Sequence, residues 1–128
     1  MRGIMEYLFV GIGGFLGAIS RYGLSQVVHA NFSSSHVPLG TITVNVLGAF
    51  LLSFLLTANY YKFNLPTHTI LLLGTGFLGA FTTFSTFTHE TLTVFEQSIL
   101  KGFLYVLIML IAGYGSAIAG YLIGIATG

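Results

Sequence analysis

The chain has 128 residues, of which 55% are hydrophobic, 17 are glycine and only 5% are charged, for a net charge of +1. A soluble domain carries about a quarter of its residues as charges, and four basic with three acidic side chains cannot make such a skin, so the surrounding medium is lipid. The same balance excludes a nucleic-acid footprint, and the lack of cysteine excludes disulfides, thiolate metal sites and a thiol nucleophile.

A hydrocarbon core about 30 Å thick, crossed at about 1.5 Å per residue, asks for roughly 20 apolar residues per span. Four such segments are expected, at 4–28, 40–58, 67–98 and 102–126, in one integral membrane domain covering 1–128. Their apolar runs are continuous and do not alternate with period two, which argues against a β-barrel.

The first span opens after Arg2 in the manner of a signal peptide, but it lacks a clear small-residue cleavage site and three more spans follow. It reads as a retained helix. Gly13 and Gly17 form a G-x-x-x-G step in it, and Arg21-Tyr22 closes it as a charge and ring at the membrane edge. In the second span Gly40, Val44 and Gly48 share one face, and Asn45 is the buried polar outlier. Its amide suits either interhelical bonding or donation to a ligand.

The third span is different in composition. Gly74, Gly76 and Gly79 lead into Thr82, Thr83, Ser85, Thr86 and Thr88, with Phe81, Phe84 and Phe87 interleaved at a spacing of three. Glycine and hydroxyl residues are mediocre helix formers, so two structures compete here. One is a helix broken near the membrane midplane, whose freed carbonyls suit a hard cation such as sodium. The other is a continuous helix with hydroxyls bonded one turn back. The rings are either packing or, with their electropositive edges beside hydroxyl donors, the wall of a chamber for a small bare anion. The fourth span carries the ladder Ala112, Ser116, Gly120, Gly124, which predicts close helix contact.

Loop charges set orientation. Arg2 and Lys62 fall on one side and Arg21 and Lys101 on the other, a two-against-two count that favours insertion both ways and an antiparallel pair. His29, His36, His68 and His89 have no metal-ligand spacing, and neither a nucleophile elbow nor a phosphate loop is present. The chain does not read as an enzyme.

The segments Gly13-Gly14-Phe15-Leu16-Gly17-Ala18 with Arg21-Tyr22, Gly40-Thr41-Ile42-Thr43-Val44-Asn45, and 76–87, ending Thr82-Thr83-Phe84-Ser85-Thr86-Phe87, resemble the small bacterial fluoride channels called Fluc or CrcB. The resemblance covers all four spans. It implies an all-α membrane protein, an antiparallel dual-topology dimer with two pores, and passive export of fluoride across the bacterial cytoplasmic membrane to lower its toxicity. It implies a structural sodium at the dimer interface on the Gly79 and Thr82 carbonyls. It also implies a fluoride path that includes Asn45, Phe84, Phe87, Ser116 and Arg21, with Thr41, Ser85, Thr88 and Glu90 as polar positions near it and Phe81 as packing. Gly120 stands where the family has a further hydroxyl, and the partner is an identical copy or a homologous subunit. A proton-coupled multidrug exporter would need a carboxylate mid-way along the first span, where only Glu6 at its mouth is acidic; a scaffold subunit would not need the Thr/Phe cluster. An intramembrane hydrolase lacks a nucleophile–base pair.

Overall fold

The computed structural model describes residues 2–128, and the side chain of Arg2, with the share of the orientation count assigned to it, lies outside that description. Helix α1 spans Arg2–Asn31 and α2 spans Leu39–Ala58, continuing into a π-helical turn over Asn59–Phe63. The third segment is composite: α3 (Thr67–Ile70), a π-helical stretch (Leu71–Leu78), α4 (Gly79–Phe81) and α5 (Ser85–Gln97). Helix α6 covers Ile99–Thr127.

Four segments, Gly3–Asn31, Leu39–Phe63, Thr67–Gln97 and Ile99–Thr127, are long and apolar enough to cross a membrane. The protein is therefore an all-helical, multi-pass membrane protein. Its segments run three residues or more past the expected limits at three points: the first continues to Asn31, and the other two have local reasons. The second continues to Phe63 because Tyr60, Tyr61 and Lys62 keep polar tips on apolar stems and tolerate a helix end at the membrane surface. Asn64, at φ 48°, then takes the left-handed conformation that ends the turn, and the Asn59 side chain accepts the Leu65 N–H at 2.6 Å. The fourth begins at Ile99 because Ser98 caps it, its hydroxyl accepting the Lys101 N–H at 3.3 Å.

The distribution of side chains is that of a body wetted by lipid. Phe15, Leu92 and Ile111 point outward, each about two-thirds exposed, while Val44 and Tyr105 are the largest wholly enclosed side chains among the described residues. Two small cores result: Phe87, Val94, Tyr105 and Met109 in one, and Val44, Leu78 and Phe81 in the other.

Glycine seams hold the helices together. Helix α2 packs most extensively on α6, and α1 on the π-helical stretch. A Cβ on Gly13 would overlap the Leu72 carbonyl oxygen, and one on Gly17 the Phe77 carbonyl oxygen, so these two backbones touch with nothing between them. On the other seam a Cβ at Gly120 would overlap the Phe50 carbonyl oxygen. The hydroxyl side chain that the resemblance led us to expect at 120 thus has no room, because the position faces α2 across a closed contact. The wide turns of the third segment follow from the same small residues: the Gly79 N–H is shared between the Gly74 and Gly76 carbonyls, the former five residues back.

Gly17→Val should lower stability by about 1–3 kcal/mol through overpacking, read as a shift in the unfolding midpoint in detergent. Gly11→Ala, where the added carbon meets nothing within 4 Å, should leave the midpoint unchanged.

Candidate functional site

In lipid every backbone polar group needs an internal partner, and the stretch after Phe81 obtains its partners by unusual means. Thr82 is extended, at φ −89° and ψ 158°, and regular helix resumes only at Ser85. The Thr82 N–H and hydroxyl both donate to the Leu78 carbonyl, each at 3.1 Å. The Thr83 N–H, which in a continuous helix would bond the Gly79 carbonyl, donates instead to Asn45 Oδ1 at 2.8 Å. The Asn45 Nδ2 returns the bond to the Thr83 carbonyl, also at 2.8 Å. One side-chain amide on α2 thus stands in for a missing turn of helix.

Neighbouring groups complete the accounting. The Thr83 hydroxyl accepts the Thr86 N–H at 3.2 Å, which caps the start of α5, and donates to the Thr86 hydroxyl at 3.0 Å. Ser85 Oγ lies 3.5 Å from it. Arg21 Nε donates to the Ala80 carbonyl at 3.1 Å, so this guanidinium turns inward to the interrupted segment. Gly48 makes the space, since a Cβ there would overlap the Thr82 methyl.

A second polar group lies further along α5. Glu90 accepts from the Thr41 hydroxyl at 2.9 Å on Oε1 and from the Tyr105 hydroxyl at 2.8 Å on Oε2. A carboxylate in this setting is costly unless donors satisfy it, and three helices supply the arrangement. Thr41 and Glu90 of this triad line a cleft of about 420 Å³ whose wall also includes Ser25, His29, His36 and Gln97, while Tyr105 is enclosed behind them. Sequence reasoning named Thr41 and Glu90 and missed Tyr105. The available signal was a phenol in an apolar span, which requires a partner when buried.

Between the two polar groups lie the rings. Phe87 is buried and meets Tyr105 edge-on at 5.2 Å and Phe84 at 5.9 Å. Phe84 is 75% exposed and offers its ring to the outside of the chain. Phe81 stacks on Phe77 at 5.9 Å in the other core, a packing position. Met109 reaches the site from α6, its sulfur 3.7 Å from Asn45 Nδ2. The hydroxyls of Thr88 and Ser116 bond within their own helices, to the Ser85 and Gly113 carbonyls at 2.9 Å each. Arg21, Asn45 and the interrupted segment are thus drawn together, as are Thr41 and Glu90, while no side-chain hydrogen bond links Ser116 to either group.

A family profile described as "CrcB-like protein, Camphor Resistance (CrcB)" matches residues 8–121. The chain is 45% identical over 120 residues to a protein of Thermosipho melanesiensis named fluoride-specific ion channel FluC, covering 94% of this chain and 96% of that protein. It is 45% identical over 120 residues to the protein of the same name from Thermotoga maritima, covering 94% of each. To another from Thermosipho africanus it is 56% identical over 86 residues, 67% of this chain and 69% of that one.

Because Glu90 joins the two hydroxyls, Thr41→Val and Tyr105→Phe should not act independently. Each should cost about 1–3 kcal/mol, and the double variant should depart from additivity by about 1 kcal/mol, measured by unfolding in detergent.

Proposed function

The chain belongs to the CrcB family, and on that premise we propose that it is a fluoride-selective channel that lets the ion leave the cytoplasm passively across the cytoplasmic membrane. The observation that carries this reading is the Asn45–Thr83 pairing beside the Phe84 and Phe87 rings, a set of oriented dipoles inside a lipid-spanning body. Fluoride is small and strongly hydrated, so a dry path must replace its water with hydrogen-bond donors and the positive edges of rings. Larger halides fail for want of width. In this reading the Thr41 hydroxyl and Glu90 stand at the cleft, Tyr105 holds Glu90 from within, and Asn45, Phe84, Ser85 and Phe87 form the dry part of the path. Arg21 fixes the Ala80 carbonyl and brings positive charge to the same region. Thr88 and Ser116 supply hydroxyl oxygens along the flanking helices.

A second copy, inserted the opposite way, completes the path. The support for it is the outward face of the third segment, where Thr75, Gly79, Phe84 and Ser85 are exposed. Hydroxyls and a free peptide edge are poor company for acyl chains, and an antiparallel copy of the same face covers them. Each dimer then holds two pores.

Sodium fits that junction by the chemistry of the donors. With the Thr83 N–H drawn to Asn45, the Gly79 carbonyl loses its usual helical donor, and Thr82 is extended. Carbonyl oxygens suit a hard cation, and Gly79 and Thr82 from each of two copies would provide the set. Bound there, the ion supplies fixed positive charge between the pores and joins the two interrupted segments.

Liposomes holding the purified protein should release fluoride electrogenically and retain chloride. Phe84→Ile should slow release at least tenfold, and so should Asn45→Asp, which turns a second oxygen toward the Thr83 carbonyl. Release equal to that of empty vesicles rejects the self-sufficient homodimer, and release restored only by a second homologue identifies a heterodimer. Replacing sodium by a bulky organic cation throughout preparation should lower the activity recovered.

A further inference from the structure

Of the four hydrogen-bonding valences of the Asn45 amide, one donor and one acceptor are taken by the Thr83 peptide at 2.8 Å. A third, the remaining Nδ2 hydrogen, has the Met109 thioether at 3.7 Å. Sulfur in a thioether is a weak acceptor, so this hydrogen is held without being well satisfied. Its position matters, because Met109 packs in the same core as Phe87 and Tyr105, the ring and the phenol that join the two polar groups. Methionine is also the most adaptable of the apolar side chains, unbranched and able to swing aside at low cost.

We infer that Met109 is a positioning residue for fluoride selectivity, its sulfur a replaceable partner that keeps the Asn45 N–H aimed into the path until fluoride takes its place. The inference rests on the channel reading above. A buried donor with no acceptor is costly and seeks substitutes such as water; a donor tied to a strong acceptor would not release it. A thioether lies between these limits. Fluoride, a far stronger acceptor, displaces the sulfur, whereas chloride accepts hydrogen bonds weakly and needs more room than the displaced side chain frees. No bond is made or broken; one hydrogen bond is exchanged for another.

Two substitutions of similar size separate this role from packing. Met109→Leu keeps the volume and removes the acceptor, so the fluoride concentration giving half-maximal current across a planar bilayer should fall several-fold and the fluoride-over-chloride ratio should drop. Met109→Gln offers a carbonyl oxygen that holds the Asn45 N–H strongly, so that concentration should rise several-fold. Shifts in opposite directions are the expected result. Half-maximal concentrations within twofold of the unsubstituted protein for both variants, or shifts in the same direction, overturn the inference. If the unsubstituted protein itself carries no fluoride current, the channel reading fails and this one with it. A measurement on the unsubstituted, 15N-labelled protein guards against misfolded variants: sodium fluoride, and not sodium chloride, should move one Asn45 side-chain amide proton downfield. An unmoved resonance overturns the inference even where the variants cannot be purified.

Discussion

The structure depends on one exchange of hydrogen bonds, that between the Asn45 side chain and the Thr83 peptide. A helix crossing lipid normally closes its own backbone bonds, and any residue that leaves the helix exposes polar groups where no water can reach them. The third segment leaves it at Thr82 and returns at Ser85. What makes this tolerable is that other helices carry the missing partners: Asn45 on α2 and Arg21 on α1, with the Thr83 hydroxyl capping the returning helix. The function proposed above rests on the same exchange, which orients backbone and amide dipoles that a continuous helix would use within itself.

The seams serve this exchange. Asn45 can reach Thr83 only if α2 lies close to the interrupted segment, and Gly48, one turn further along α2, allows that approach. Arg21 reaches Ala80 only because Gly13 and Gly17 bring α1 onto the π-helical stretch. Small residues in this chain therefore act as distance settings, and the polar side chains between them are short tethers working at those distances.

Much of this was legible in the amino-acid sequence, and the reasons differ by residue. The four spans were readable because lipid demands long apolar runs, and the family was readable because 76–87 is an unusual string. Limits were harder: the second span was expected to stop at 58, because the tyrosines and lysine that follow are polar at the tip, while their stems extend the helix to Phe63. Asn45 was recognised as the polar outlier, but its partner could not be named, since a contact across 38 residues depends on helix rotation. Tyr105 passed unnoticed because one of three tyrosines in an apolar span looks like any aromatic until its hydroxyl is seen on Glu90. Gly120 read both as a departure from a polar series and as a rung of the small-residue ladder, and the ladder reading is the one its backbone bears out, lying against that of Phe50.

The closeness of Gly48 to the Thr82 methyl ties two distant codons to one another. A carbon gained at 48 calls for the methyl at 82 to be given up, and serine gives it up while keeping the hydroxyl that bonds the Leu78 carbonyl. The order of the two changes therefore matters to mutational drift: the loss at 82 opens space and comes first, and the gain at 48 fills it. Libraries that vary the two sites jointly reach the permitted pair in one step.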